Sequence, residues 1–441
     1  MEDFFKKQEN KLLIIILFIS IISKYIIYIY YGDFELANEW SVLYKNLDQF
    51  GVLSFHNPGD LGSIPNSYMP PLYPYFIYYL SKINFFGLDL AEKVIFIQVF
   101  LSCISIIIIF NFFKYFFDYK FSFISTLIYT FYPLNIYATV QISSISISIF
   151  LLSLFLFFYI KISKNKIFYS LCLGFFSGLL ILARGEFFLL FFLLLINKII
   201  ERKTKYLHLV LVFFISLIVI SPYLNRNLEI FDKFTITESK GYNLWRGNNQ
   251  LSTVDSIESH NFIYNTNSNV PPHIPIFFLF SHPENILELE FKERNKLLIL
   301  REKINDLEFY INGEINNKYD VMRDKIFLDE AVNNILENPS KYFVLSLKKA
   351  FSIIFINLNS SYKNYYNIYN IIPELVISIL AFIGFFKSFT LKKNYLFHIS
   401  YIFYILIFSI FFVLPRYKLL LLPMLIFFSI NLIKTIHEKK K

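Results

Sequence analysis

Three carboxylates, Asp33, Glu35 and Glu39, and the indole of Trp40 follow a long apolar stretch; the segment they open, residues 32–74, closes on Pro70-Pro71-Leu72-Tyr73-Pro74. Acidic groups at a bilayer edge are costly unless they are paired or working, so they are the first candidates for chemistry. A nearby low-dielectric wall lifts a carboxyl pKa toward the range in which the carboxylate serves as a general base. Such a base takes the proton from a hydroxyl or amine as it attacks. The competing reading is a solvated helix start, since acids favour helix N-termini. Asp33-Phe34-Glu35 also has a D-x-E spacing that offers hard oxygen ligands to a divalent cation.

Cations form the second set. Arg184 lies in Leu182-Ala183-Arg184-Gly185-Glu186 between two apolar runs, where Glu186 offers a local ion pair and a planar guanidinium also suits a phosphate. Arg226 stands where Pro222-Tyr223-Leu224-Asn225-Arg226-Asn227 leaves an apolar run, a position that interfacial anchoring also explains. Pro415-Arg416-Tyr417-Lys418 places a double cation opposite the basic loops, and its partner is either a phospholipid headgroup or a lipid-linked phosphate. Residues 241–249, Gly-Tyr-Asn-Leu-Trp-Arg-Gly-Asn-Asn, suit sugar contacts and tight turns alike. Trp40, Tyr68, Tyr73, Tyr417, Asn243 and Trp245 are the candidate substrate contacts.

His56, His208, His260, His273, His282, His398 and His437 are scattered, with no metal-ligand spacing between any two. No Ser-His-Asp grouping, P-loop or Gly-x-Gly-x-x-Gly is present, so soluble-type nucleotide chemistry is unsupported. Cys103 and Cys172 lie inside apolar runs and leave no disulfide framework.

The elements that must position these groups are membrane helices. The chain has 441 residues, 56% of them hydrophobic and only 17% charged, too much apolar surface for a soluble domain. The net charge of +9 comes from short basic clusters between apolar runs, the pattern of positive-inside loops and not of nucleic-acid binding. Leu12–Tyr31 exceeds a signal-peptide core and reads as a retained anchor. Lys6, Lys7 and Lys11 before it put the amino terminus in the cytoplasm and residues 32–74 outside. Further runs follow at Leu72–Phe86, Val94–Phe113, Phe121–Ala138, Ile142–Ile160, Ile167–Ala183, Phe187–Ile196 and Leu207–Tyr223, with basic connectors between them. Parity requires one run not to cross, and the proline-rich Leu72–Phe86 is that run.

Residues 224–341 change character, with 13 Lys and Arg against 18 Asp and Glu, and read as an extracytoplasmic domain of α or α/β type. Asp320–Leu336 has the pattern of an amphipathic helix ended by Asn338-Pro339. The carboxyl part adds Tyr342–Leu358, Ile371–Phe386, Tyr395–Leu414 and Leu419–Ile433, then a basic cytoplasmic tail. The expected fold is an all-α polytopic bundle of about 10–12 membrane helices. It divides into an amino-terminal membrane module (1–223), the extracytoplasmic domain (224–341) and a carboxyl-terminal membrane module (342–441).

In this order the motifs resemble the GT-C superfamily of polytopic glycosyltransferases, in the branch of protein O-mannosyltransferases and lipid A aminoarabinose transferases. The resemblance rests on Asp33, Glu35, Glu39 and Trp40, on Gly51-Val52-Leu53-Ser54, and on Met69-Pro70-Pro71-Leu72-Tyr73-Pro74. It continues through Leu182-Ala183-Arg184, Pro222 to Asn227, the glycine and asparagine turns at 241–249, and Arg416-Tyr417-Lys418. The second-loop acid of many relatives is replaced here by Gln141 or Ser143-Ser144. The resemblance implies an inverting transferase of the bacterial cytoplasmic membrane. It would take a sugar from a polyprenyl-phosphate carrier and pass it to a glycan, lipid or protein at the outer face, without a cofactor. Asp33, ahead of Glu39 and Glu35, would be the base, and Arg184, Arg226, Arg416 and Lys418 would bind the donor phosphate. A lipid-linked glycan transporter or an O-antigen polymerase or ligase is the alternative.

Overall fold

The computed structural model describes residues 9–56, 63–84, 87–263, 289–310, 317–360, 362, 365, 367–389 and 395–439. Every regular element among them is helical. Lys6, Lys7, His273, His282, Phe86, Lys392 and Lys393 lie outside the described residues. Five helices are long and apolar enough to cross a membrane: Asn10–Tyr31, Leu90–Phe113, Ser144–Lys164, Tyr206–Phe231 and Ile368–Ser388, with shorter apolar helices at Ile167–Ala183 and Tyr395–Ile410. The chain is a multi-pass membrane protein.

The first helix, α1 (Glu9–Tyr31), turns Ile14, Phe18, Ile22 and Ile29 outward, as expected where lipid replaces water. Two short helices, α2 (Asn38–Phe50) and α3 (Leu72–Ser81), form the first loop. Ten residues rise about 15 Å as a helix, half a hydrocarbon core, so α3 does not cross. After α4 (Leu90–Phe113), the apolar run that sequence reads as one span over Phe121–Ala138 divides into α5 (Tyr119–Phe131) and α6 (Pro133–Thr139). The cause is Pro133, which disfavours the helical region for the residue before it. Tyr132 accordingly sits at φ −63°, ψ 117°. The break places α6 beside α1, and this is what later meets Asp33.

Helices α7 (Ser144–Lys161), α8 (Ile167–Ala183), α9 (Phe187–Glu201) and α10 (Tyr206–Phe231) complete the amino-terminal bundle. Gly174 and Gly178 form a small-xxx-small face on α8. A Cβ at Gly174 would lie 2.7 Å from Val212 O, and one at Gly178 would lie 2.6 Å from Val219 Cβ, so glycine permits the backbone approach that packs membrane helices. Helix α10 runs through Pro222 and on to Phe231, past the expected boundary at Tyr223. Ser221 Oγ donates to Ile218 O at 3.1 Å, the carbonyl that Pro222 leaves without its amide partner.

Helices α11 (Lys240–Gly247), α12 (Ile257–Ile263), α13 (Phe291–Tyr310) and α14 (Tyr319–Glu337) build a cap layer. Its own core contains Tyr68, Tyr242, Trp245, Phe262, Leu297, Leu300 and Phe327. Both carboxylate oxygens of Asp324, on α14, accept the first amides of α11, from Gly241 at 3.0 Å and Tyr242 at 2.9 Å. A negative group at a helix N-terminus satisfies free amides and complements the dipole.

Helix α15 (Pro339–Ile354) buries Tyr342, Lys349, Ser352 and Ile353 and exposes Phe343, Val344, Leu347 and Phe351. The final helices are α16 (Ile368–Ser388), α17 (Tyr395–Ile410) and α18 (Leu422–Lys439), with a 3-10 turn at Pro415–Leu420 before the last. Residues Leu422 to Ile430 of α18 are all buried, so this helix runs through the bundle centre.

Candidate active site

Asp33 is fixed by the chain that follows α6. Its amide donates to Val140 O at 3.2 Å, and its Oδ2 accepts the Ile142 amide at 2.7 Å. Gln141 Nε2 donates to Tyr31 O at 2.5 Å, which closes the join between residues 31–33 and 140–142. Asp33 Oδ1 has no hydrogen bond among the described residues. Burial pushes the carboxyl above its ordinary range, with the Ile142 amide partly opposing. A half-buried carboxylate of raised basicity is what a general base at neutral pH needs.

Helix α2 supplies the next groups. Glu39 lies in its first turn, half-buried, and Trp40 is buried edge-on to Tyr73, with ring centroids 4.6 Å apart. The Tyr73 hydroxyl donates to Gln98 Oε1 at 2.8 Å, and Gln98 Nε2 donates to Thr139 O at 3.1 Å and Gln141 O at 2.8 Å. One glutamine of α4 thus ties α3 to the segment that holds Asp33. Tyr73 lies within electrostatic reach of both Asp33 and Glu39.

The cation comes from the far end of the chain. Arg416, on the 3-10 turn, lies in the field of Tyr417, Tyr365, Glu39 and Tyr362. It forms no salt bridge among the described residues. Tyr365 is in turn within reach of Asp33 and packs edge-on to Tyr137 at 5.1 Å. The positive potential extends to His260, whose imidazole is held down at about 3 by burial, then by Arg246 and Arg416. Asp33 and Glu39 thus share Tyr73 as an electrostatic neighbour, and Asp33 and Arg416 share Tyr365.

The remaining candidates sit elsewhere or are engaged. Glu35 is exposed. Arg184 Nε donates to Glu186 Oε1 at 2.6 Å, and its guanidinium lies 5.1 Å from the Tyr417 ring centroid, beside the 3-10 turn that carries Arg416. Arg226 donates to Asn66 O, Leu53 O and Asn227 Oδ1 and so anchors the first loop. Lys418 is buried in an ion pair with Glu374 at 2.9 Å and also donates to Phe355 O. Tyr417 stacks on Phe408 at 4.7 Å. Tyr68 and Trp245 lie in the cap core, and the Asn243 side chain donates to Ser239 Oγ at 3.5 Å. Among the described residues no three His, Cys, Asp or Glu side chains cluster as metal ligands.

Sequence reading passes over Tyr365, Tyr137 and Gln98, and over a buried network in which the Asp320 carboxylate lies 3.1 Å from His56 Nε2 and 2.8 Å from Arg323 Nη2. The network joins the first loop to α14.

Residues 68–225 match the family described as dolichyl-phosphate-mannose-protein mannosyltransferase. No curated protein matches the chain. Two solved structures from Archaeoglobus fulgidus are similar across nearly the whole chain. One is an oligosaccharyltransferase tethered to an acceptor peptide containing the NVT sequon (13% identity, TM-score 0.52, covering 99% of this chain and 50% of the other). The second is the archaeal oligosaccharyltransferase AglB in complex with an inhibitory peptide and a dolichol-phosphate (14% identity, TM-score 0.50, covering 99% and 51%). The chain spans about half the length of these proteins.

Proposed function

We propose that this chain, whose fold is that of the GT-C superfamily, is an inverting glycosyltransferase that moves a sugar from a polyprenyl-phosphate carrier to an acceptor at the outer face of the cytoplasmic membrane. The observation that carries the reading is the half-buried Asp33 carboxylate held at the membrane edge by the Val140 carbonyl and the Ile142 amide, with Tyr365 in the fields of both Asp33 and Arg416. The family match and the dolichol-phosphate bound by a structural neighbour support a lipid-linked donor.

The chemistry follows from those groups. The carrier's tail stays in the bilayer and presents its phosphate at the membrane edge, next to Arg416. An acceptor hydroxyl or amine attacks the anomeric carbon while Asp33 takes its proton. The bond from that carbon to the phosphate oxygen breaks, and the electron pair leaves with the phosphate. A fixed guanidinium stabilises that growing charge without reorganising. A single displacement inverts the anomeric centre. Glu39 orients Arg416 electrostatically, and Trp40 and Tyr73 wall the site. Both termini are cytoplasmic in this reading, and the acceptor is a glycan, a lipid or a protein. No cofactor takes part, since Arg416 supplies the positive charge.

The test is turnover of synthetic polyprenyl-phosphate sugars by the purified chain in detergent micelles, read as free polyprenyl phosphate. Release that persists in EDTA is expected. An absence of turnover with every such donor would sink the enzyme reading, and abolition by EDTA would sink the cofactor-free form of it.

A further inference from the structure

Lys349, on α15, is fully buried, and its ammonium has no carboxylate within ion-pair distance among the described residues. It donates instead to two backbone carbonyls, Gly247 O at 2.7 Å and Phe411 O at 2.6 Å. Gly247 is the last residue of α11, and Phe411 follows directly on the end of α17. Both acceptors are thus helix C-terminal carbonyls, where the dipole presents partial negative charge.

The same junction carries further bonds. Asn248 Nδ2 donates to Ile410 O at 2.8 Å, the Val413 amide donates to Val254 O at 2.9 Å, and the Arg246 guanidinium lies 4.1 Å from the Phe412 ring centroid. A Cβ at Gly247 would overlap Phe411 O, so the glycine is what lets the two backbones come close enough to share one ammonium. This accounts for the glycine and asparagine turn at 247–249, which the reaction itself leaves unused. The stretch from Phe411 to Leu414 then leads without a break to the turn bearing Arg416.

A buried ammonium without a counter-ion is costly, and an apolar side chain of equal length would avoid that cost. We propose that Lys349 is a positioning residue that pins the segment from Phe411 to Arg416 against the cap layer and so holds Arg416 where the donor phosphate binds. The inference rests on the reading of Arg416 given above. Lys349 touches neither substrate, and its effect passes through Arg416.

The test is a double-mutant cycle on the full chain in detergent micelles, with equilibrium binding of a synthetic polyprenyl monophosphate as readout and thermal melts as a check on folding. Lys349→Met should weaken binding about tenfold, and in an Arg416→Met background it should add no further loss, the non-additivity of residues acting as one unit. The acceptor KM should stay unchanged in Lys349→Met while the donor KM rises. Equal loss in both backgrounds, or wild-type binding by folded Lys349→Met, overturns the proposal. Wild-type binding by Arg416→Met would instead overturn the phosphate-binding role of Arg416. Should Lys349→Met fail to fold, Lys349→Gln keeps one donor; a smaller loss that again vanishes in the Arg416→Met background is expected, and an additive or absent loss overturns the proposal.

Discussion

Asp33→Asn is expected to lower the turnover of a polyprenyl-phosphate sugar by about 10²–10⁴-fold, the range lost when a positioned general base is removed. The substitution is nearly isosteric, and an asparagine carbonyl still accepts the Ile142 amide that now meets Asp33 Oδ2 at 2.7 Å. Position is therefore kept and only the capacity to take a proton is lost. The sign of the pH effect follows from burial, which raises the Asp33 carboxyl above its ordinary value. The base works only when ionised, so the acid limb of kcat/KM against pH should lie above the usual carboxylate range in wild type and disappear from the residual rate of Asp33→Asn. The same raised pKa means that the fold favours the neutral acid, and the stability it contributes is lost as pH rises through the folded pKa. Asp33→Asn should then melt no lower than wild type at neutral pH, which separates lost chemistry from lost structure. Full activity in Asp33→Asn with loss in Glu39→Gln would transfer the role of base to Glu39.

How far the site could be read from the chain depends on how local each constraint is. Asp33, Glu39 and Trp40 stand out because acids at a membrane edge are rare against an apolar background. The expected all-helical bundle has the same origin, since apolar runs leave the backbone little choice in lipid. Whether a cation is available to a ligand is a different matter. Lys418 stands two residues from Arg416, yet it is buried against Glu374 of α16, and nothing in its local sequence announces that partner. Arg226 occupies the expected membrane exit and is taken up by carbonyls of the first loop. Tyr365 is one of 32 tyrosines, so its type carries no signal, and only the return of the chain after α15 brings it to Arg416. The break at Pro133 was present as a residue-before-proline signal, masked by uniform hydrophobicity on both sides. It matters more than its size suggests, because the short helix it starts, α6, leads directly into the two backbone groups that hold Asp33.

Asp320→Asn should destabilise the chain by about 3–5 kcal/mol, the cost of removing one partner from a buried ion pair. The carboxylate is 4% exposed, with Arg323 Nη2 2.8 Å from one oxygen and His56 Nε2 3.1 Å from the other. Asparagine retains the outline but removes the negative charge 2.8 Å from the Arg323 guanidinium, itself 8% exposed. Burial raises the Asp320 carboxyl, but Arg323 and then His56 outweigh it and hold the group at about 2. Because this value lies below the ordinary carboxylate range, the stabilisation is complete above that range and is lost as pH falls through about 2. Thermal melts in one detergent should therefore show wild type well above Asp320→Asn at neutral pH, with the gap closing as the medium is made strongly acidic. A gap that stays constant with pH would mean that packing, and not charge, accounts for the loss. Since His56 belongs to the first loop and Asp320 to the cap layer, the same substitution should also loosen the loop, read as faster proteolysis between Leu53 and Tyr68 in the folded variant than in wild type. Protection equal to wild type there would show that Arg226, through Leu53 O and Asn66 O, anchors the loop without help from Asp320.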